Sequence, residues 1–296
     1  MDDITDWLMA GDPAVRWRCL RLNGAPDAEV ARERERVAVE GWGARLLAEQ
    51  NPDGGWGGGD YSPKWTSTTY TLLRLMWLGL PPGNPAALRG CERLWDWQAR
   101  WRTPETCISG MLVALTCTHG HGAPRLDAVV ADLLDQQNHD GGWNCASRTD
   151  RGKHSSFHTS ISVLEALDAY ADAGGSVPVA SAHRRGREFF LAHRLYRSHR
   201  TGAVAIKGST RLRAFPEWHF DVLRGLELFS RYPERDERLA DAVDVIAWAR
   251  RSDGRWPVHA PYPGRRFFDP EPSGSSRWIT VRALAVLGWW AGSDKG

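Results

Sequence analysis

Leu133-Leu134-Asp135-Gln136-Gln137-Asn138-His139-Asp140-Gly141-Gly142-Trp143 repeats an earlier stretch, Leu46-Leu47-Ala48-Glu49-Gln50-Asn51-Pro52-Asp53-Gly54-Gly55-Trp56. A weaker third copy reads Ile246-Ala247-Trp248-Ala249-Arg250-Arg251-Ser252-Asp253-Gly254-Arg255-Trp256. Asp53 and Asp140 lie 87 residues apart, about the length of two helical hairpins. A degenerate copy, Leu94-Trp95-Asp96-Trp97-Gln98, sits midway without its Gly-Gly-Trp. The leucines and glutamine are suited to end a helix. Asp-Gly-Gly tolerates positive φ and stops it. The Trp can then plug the gap between neighbouring hairpins, while the Gln bonds to backbone at the next helix end. A hairpin of this kind leaves an apolar face open, so several must stack to bury it.

The segments between these stops agree with that reading. Leu126, Val129, Val130, Leu133 and Leu134 form a one-sided helical stripe, and Leu239, Val243 and Ile246 form another. These are expected outer helices. Thr66 to Leu80, Cys107 to Cys117, His154 to Tyr170, Trp218 to Phe229 and Trp278 to Trp290 are expected inner helices, polar early and aliphatic late. Breaks fall at Pro81-Pro82-Gly83, at Gly174-Gly175 and in the loop Arg255 to Ser276. No segment has a period-2 strand pattern. The expectation is an all-α fold, one α/α toroid domain over residues 1–296, with five to six hairpins in inner and outer rings and the 255–276 loop covering one end.

Composition bounds the function. The 296 residues are 42% hydrophobic and 25% charged, with a net charge of +2, which gives no global reason to expect a nucleic-acid partner. No run approaches the ~20 apolar residues of a membrane span. The start, Met1-Asp2-Asp3, is acidic and lacks an apolar h-region. Five cysteines without a Cys-x-x-Cys pair fit a reducing, cytoplasmic setting better than a disulfide framework. Between Arg184 and Arg213 lie nine Arg or Lys residues and one acid, Glu188, which reads as a solvated face or as a diphosphate site. The 16 Trp residues ask for a repeated structural role, an aromatic cavity, or both.

The Gln…Asp-Gly-Gly-Trp repeats, spanning about Leu46 to Trp290, resemble the Gln-Trp motifs of squalene cyclases, oxidosqualene cyclases and protein prenyltransferase β-subunits. The resemblance implies the α/α toroid of the terpenoid cyclase and prenyltransferase superfamily, in a short, divergent bacterial-type member. It does not imply a reaction, because the motif is a structural staple in those families. The Asp-x-Asp-Asp with which class II cyclases protonate their substrate is missing. So is the Asp-x-Cys with which prenyltransferases hold zinc.

If all Gly-Gly-Trp loops share one end of the barrel, the first turns of the inner helices surround one mouth. Those turns hold Trp65, Thr69 and Tyr70; Cys107; His154, Phe157 and His158; Glu217, Trp218, His219 and Asp221; and Trp278. One capping Ser or Thr per turn would suffice for structure at ~1 kcal/mol each, so a shared cavity is the economical explanation. Two chemical readings follow. In one, Trp65, Thr69, Tyr70, Phe157, Trp218 and Trp278 bind an isoprenoid or similar hydrophobic molecule, and His154, His158, Glu217, His219 and Asp221 supply acid–base chemistry for cyclisation, isomerisation or transfer. In the other, Cys107, His158 and His219 hold zinc with a fourth position open, as the prenyltransferase and lanthionine-cyclase toroids hold theirs at inner-helix starts. A third alternative is a non-catalytic lipid-binding or scaffold protein. No dinucleotide fingerprint, phosphate-binding Gly-rich loop or nucleophile elbow is present.

Overall fold

The computed structural model describes residues 2–100, 105–147, 149, 152–271 and 273–292. Its helices are α1 (Asp2–Met9), α2 (Pro13–Leu22), α3 (Asp27–Glu35), α4 (Gly41–Ala48), α5 (Thr68–Leu78), α6 (Pro85–Gln98), α7 (Thr106–His119), α8 (Asp127–Asp135), α9 (Phe157–Asp172), α10 (Ala180–Ala192), α11 (Val222–Phe229), α12 (Ala240–Trp248) and α13 (Arg277–Trp290). Among the described residues the only strands are β1 (Trp256–Pro257) and β2 (Ser275–Ser276), paired antiparallel. The fold is an all-α toroid.

Helices α2, α5, α7, α9, α11 and α13 form the inner ring. Neighbours α5 and α7, α7 and α9, α11 and α13, and α13 and α2 pack together. The Trp17 indole N–H of α2 closes onto the Leu78 carbonyl of α5 at 2.9 Å. Arg224 of α11 donates to Glu165 of α9. The ring therefore uses α2 as an inner helix. The sequence reading takes the domain as residues 1–296 but names no inner helix before Thr66, because this segment carries Arg16, Arg18 and Arg21 and lacks a Gly-Gly-Trp stop.

The repeats act as expected. Trp56, Trp143 and Trp256 are fully buried, and their indole N–H groups donate ten residues back, to Leu46, Leu133 and Ile246 carbonyls at 2.7, 2.7 and 2.8 Å. Their backbone N–H groups each donate to a hydroxyl in the first turns of the following inner helix: Thr68, Ser160 and Thr280. Gln50 and Gln137 bind Gly54 and Gly141 carbonyls and reach across to the Ala86 and Ala182 carbonyls in the next outer helices. In the third copy Arg250 takes the glutamine's place on Gly254. Gly54, Gly141 and Gly254 have φ of 84°, 92° and 79°, which a side chain would oppose. The plugs also need glycine opposite them. A Cβ on Gly90 or Gly186 would stand 2.6 or 2.8 Å from the Trp56 or Trp143 ring. The degenerate midway copy ends α6 instead, with Gln98 donating to Ser109.

Two element starts differ from expectation. Helix α9 begins at Phe157, capped by the Ser156 hydroxyl, so His154 precedes the helix. Helix α11 begins at Val222, capped by the Asp221 carboxylate, and Phe215–Asp221 is an irregular segment. The 255–276 loop lies over the end at which the inner helices start. β1 and β2 pin its base, the Pro263 carbonyl accepts from Trp65 Nε1 at 2.8 Å, and Tyr262 stacks on His219 with centroids 3.6 Å apart.

Candidate active site

Three inner helices carry one arginine each inside an otherwise apolar run: Arg74, Arg224 and Arg282, all nearly fully buried. A buried guanidinium without a carboxylate costs several kcal/mol, so each has one. Arg74 pairs with Glu217. Arg224 grips Glu165 with two bonds of 2.7 and 2.6 Å, and Arg282 grips Glu227 with two of 2.7 and 2.5 Å. Arg224 also donates to the Glu217 and His219 carbonyls, and Arg282 to those of Arg213 and Ala214. Trp77 stacks on Phe215 at 6.2 Å, and Trp278 packs against Phe215 while donating to the Ala214 carbonyl. This partition divides the barrel. On one side lies a roofed chamber of about 370 Å³ beneath the 255–276 loop. On the other lies an open chamber of about 700 Å³ at the C-terminal ends of the inner helices. The sequence reading places one deep cavity; among the described residues there is a chamber on each side of this partition.

The roofed chamber is bounded by Arg74, Arg213, Phe215, Glu217, Val258 and Arg266 among others. Glu217 is 2% exposed, and its backbone sits at φ 58°. Such a non-glycine conformation is held only where its surroundings force it. One carboxylate oxygen accepts from Arg74, with Nε at 3.1 Å. The other, Oε2, is buried without a hydrogen-bond partner among the described residues. Burial pushes the Glu217 carboxyl up from its ordinary pKa, although Arg74 pulls the other way. Asp221 is also buried and pushed up by desolvation, but it is committed to structure. Its two oxygens accept from the Arg224 and Arg213 backbone N–H groups.

Beside this chamber Trp65, Tyr70 and Trp218 of the expected aromatic set gather with His158, His219 and Tyr262, packed against one another. Trp65, at φ 71°, meets Tyr70, His219 and Tyr262 at 4.9, 6.0 and 6.2 Å. His219 is sandwiched between Trp218 at 3.8 Å and Tyr262 at 3.6 Å, and His158 stands edge-on to both Trp218 and His219. Burial lowers the His158 pKa to about 4 and the His219 pKa to about 3, so both rings are neutral at pH 7. His158 Nδ1 accepts the Phe220 backbone N–H at 2.8 Å, which leaves its proton on Nε2. Thr69 is turned to the Asp60 carbonyl.

Phe157 and His154 lie elsewhere. Phe157 faces α10 and packs on Phe189, Phe190, His193 and Phe220, because the first residue of α9 points outward between helices. His154 is exposed in the turn before α9, so the spacing to His158 does not put the two on one helical face. Of the basic stretch, Arg213 reaches the roofed chamber. Arg194 and Arg197 instead pair with Asp241.

The expected Cys107, His158 and His219 donor set is not what the structure assembles. Among the described residues one group of three donors has its ligand atoms within 4.8 Å of one another: Glu105, Cys107 and Cys145. Sequence reasoning treats Cys145 as an ordinary loop residue. It follows Trp143 by two, and the repeat loop folds it over the start of α7, where its Sγ also meets Thr159 Oγ1 at 3.3 Å. The Cys107 thiol donates to Glu105 Oε2 at 3.8 Å, and its closeness to Cys145 lowers the Cys145 pKa to about 7, while Cys145 and burial push Cys107 up. Nearby, Lys64 lies 4.1 Å over the Tyr61 ring and donates to the Tyr70 hydroxyl at 2.7 Å. Desolvation lowers its pKa. The sequence signals for these residues were an arginine alone in each apolar run and a Glu-x-Cys at the head of a helix.

No family model matches this chain, and no curated protein matches it. Among solved structures, a single-residue variant of the type II terpene cyclase MstE from Scytonema, in complex with its product merosterolic acid A, is 16% identical with a TM-score of 0.48, over 95% of this chain and 86% of that one. The apo form of MstE is 17% identical over 95% and 88%, with a TM-score of 0.43. A protein from Actinoplanes is 16% identical over 94% and 89%, with a TM-score of 0.46. At those values the fold stands on its own repeat contacts and inner-ring packing.

Proposed function

We propose that this protein is a toroid enzyme in which Glu217 transfers a proton within the roofed chamber, to a small molecule that joins an apolar skeleton to an anionic group. Glu217 carries the reading. It combines a left-handed backbone, a buried carboxyl oxygen without a partner, a pKa raised by burial, and a place in the wall of a chamber of about 370 Å³. That volume is within the range of ordinary ligand pockets. The apolar part of the substrate would rest on Phe215 and Val258, and its anionic group would meet Arg213 or Arg266.

Magnitudes narrow the reaction. One well-placed ring steadies a cation by ~0.5–2 kcal/mol. A like charge about 5 Å away opposes it by ~3 kcal/mol at an effective dielectric of about 20. The wall sets the guanidiniums of Arg74, Arg213, Arg251 and Arg266 against the carboxyls of Glu217, Asp269 and Glu271, so it offers a free carbocation no net electrostatic support. Proton transfer to a carbonyl or enol, as in isomerisation, is favoured, and an isoprenoid acid satisfies both halves of the site. The test is a panel of isoprenoid carboxylic acids of increasing chain length, screened by thermal shift and then for turnover. Glu217→Gln should keep binding and lose turnover by about 10²–10⁴-fold. Undiminished turnover in that variant would discard the role of Glu217.

A second reading is favoured by the thiol cluster. Two thiolates and a carboxylate are a fitting donor set for zinc, and three protein ligands leave a position for substrate. Glu105, Cys107 and Cys145 would hold the ion, which would supply Lewis-acid activation of a thiol or water. Metal analysis of the purified protein and of Cys145→Ala tests it. One equivalent of zinc, lost in the variant, supports a metalloenzyme; a metal-free protein excludes it.

A further inference from the structure

The open chamber has two unlike walls. Across α9, α11 and α13, every acid facing it is paired with a cation: Glu165 with Arg224, Glu227 with Arg282, and Asp168 and Asp172 with a shared Arg231. The α2–α3 wall is different. Arg18, Arg21 and Arg34 all line the chamber and converge on one indole ring, with their guanidinium carbons 4.4, 5.0 and 5.7 Å from the Trp17 centroid. None of the three forms an ion pair among the described residues.

Backbone carbonyls answer part of this charge. Arg18 Nη2 donates to the Trp77 carbonyl at 2.6 Å and Arg34 Nε to the Gly79 carbonyl at 2.7 Å. These are C-terminal carbonyls of α5, where the helix dipole is negative. They do not complete it. Arg18 Nε is buried without a partner. Burial lowers the Arg18 pKa to about 10, with Arg282, Arg21 and Arg34 adding repulsion and Glu227 opposing it. Burial and Arg21 likewise lower that of Arg34. Three cations gathered on a single ring, with Glu35 acting on Arg34 from outside the chamber and no acid of α2 or α3 lining it, are costly unless an anion joins them.

We propose that the Arg18–Arg21–Arg34 wall binds the phosphate or diphosphate group of a small organic molecule. A multivalent phosphate matches three guanidiniums in charge and in its number of acceptor oxygens, whereas one carboxylate leaves two cations unanswered. The organic part has the rest of a chamber of about 700 Å³, where Met76, Ala114, Ala285 and Val286 offer apolar surface. This site lies across the partition from Glu217 and is independent of the role given to that residue.

The test is calorimetry on the full chain with inorganic pyrophosphate, inorganic phosphate and succinate, each in buffers of matched ionic strength. Saturable pyrophosphate binding is expected, weakened about tenfold or more by Arg21→Gln or Arg34→Gln. Arg184→Gln/Arg185→Gln, on the basic outer helix, should leave it unchanged. Arg21 is exposed and Arg34 partly so, which keeps folding out of the comparison; circular dichroism and melting without ligand check this. Three results would each overturn the proposal. They are no saturable binding of pyrophosphate or phosphate, loss in the Arg184/Arg185 variant but not in the Arg21 or Arg34 variants, or succinate binding as tightly as pyrophosphate.

Discussion

The two ends of this barrel treat their mouths in opposite ways. At the end where inner helices begin, the chain lays a Pro- and Gly-rich loop over the mouth, stacks aromatic rings beneath it, and keeps two histidines neutral by burial. At the end where they finish, the mouth stays open and is walled by arginines. Helix dipoles alone would draw an anionic ligand to the roofed end, since N-termini attract anions and C-termini attract cations. The arginines at the open end sit with those dipoles and reverse the preference, while the roofed end uses its aromatics for closure. A carboxyl with a raised pKa belongs at the covered end, where Glu217 is buried; a charged ligand is admitted more easily at the open one.

The largest test of that contrast is at the partition. Arg74→Met takes from the buried Glu217 the cation it is paired with, leaving only the more distant Arg266 and Arg224, and should cost about 3–5 kcal/mol in denaturant unfolding. Arg21→Met, at the exposed rim of the open end, should cost within about 0.5 kcal/mol. Equal costs would remove the distinction between a sealed and an open end. Next in size is acid sensitivity. His119, buried at the end of α7, has its pKa lowered to about 4 by desolvation, against 6.5 when unfolded. Its folded form therefore binds fewer protons. The contribution is fully present above pH ~6.5 and declines by about 1.4 kcal/mol per pH unit toward pH 4. His119→Gln should reduce the slope of stability with pH by one group's worth. An unchanged slope would place acid sensitivity at the roofed end, with His158 and His219. The smallest effect is at Cys145, where the rate of alkylation should rise with a midpoint near pH 7. Cys107→Ala removes the neighbouring thiol that lowers it and should move that midpoint up by about one unit. A midpoint already near 9 in the parent chain would show the two thiols apart.

Much of this architecture was legible in residues. Gly-Gly-Trp marked the stops, the plugs and the shared end, and Gln50 and Gln137 reach the carbonyls expected of them. The five expected inner helices are present, with their starts moved by capping: Ser156 sets one and Asp221 another. What escaped were the contacts made between segments that no repeat links. Cys145 joins Cys107 only because a repeat loop folds back. Tyr262 reaches His219 only because β1 and β2 anchor a loop. The arginine pairs that divide the hollow link residues as far apart as Arg74 and Glu217. Periodicity reports which face of a helix is buried, and is silent on which charge waits across a cavity.

Helix α2 is also a mechanical part. It sits between the final inner helix and α5, while Arg277 of α13 donates to the Trp7 carbonyl of α1 at 2.8 Å. The earliest and latest helices described here thus form a clasp that shuts the ring, and the same short segment presents Arg18 and Arg21 to the open chamber. An occupant held by those arginines would fasten the clasp as it bound. Ligand capture and resistance to unzipping from the ends would then be a single property of ten residues.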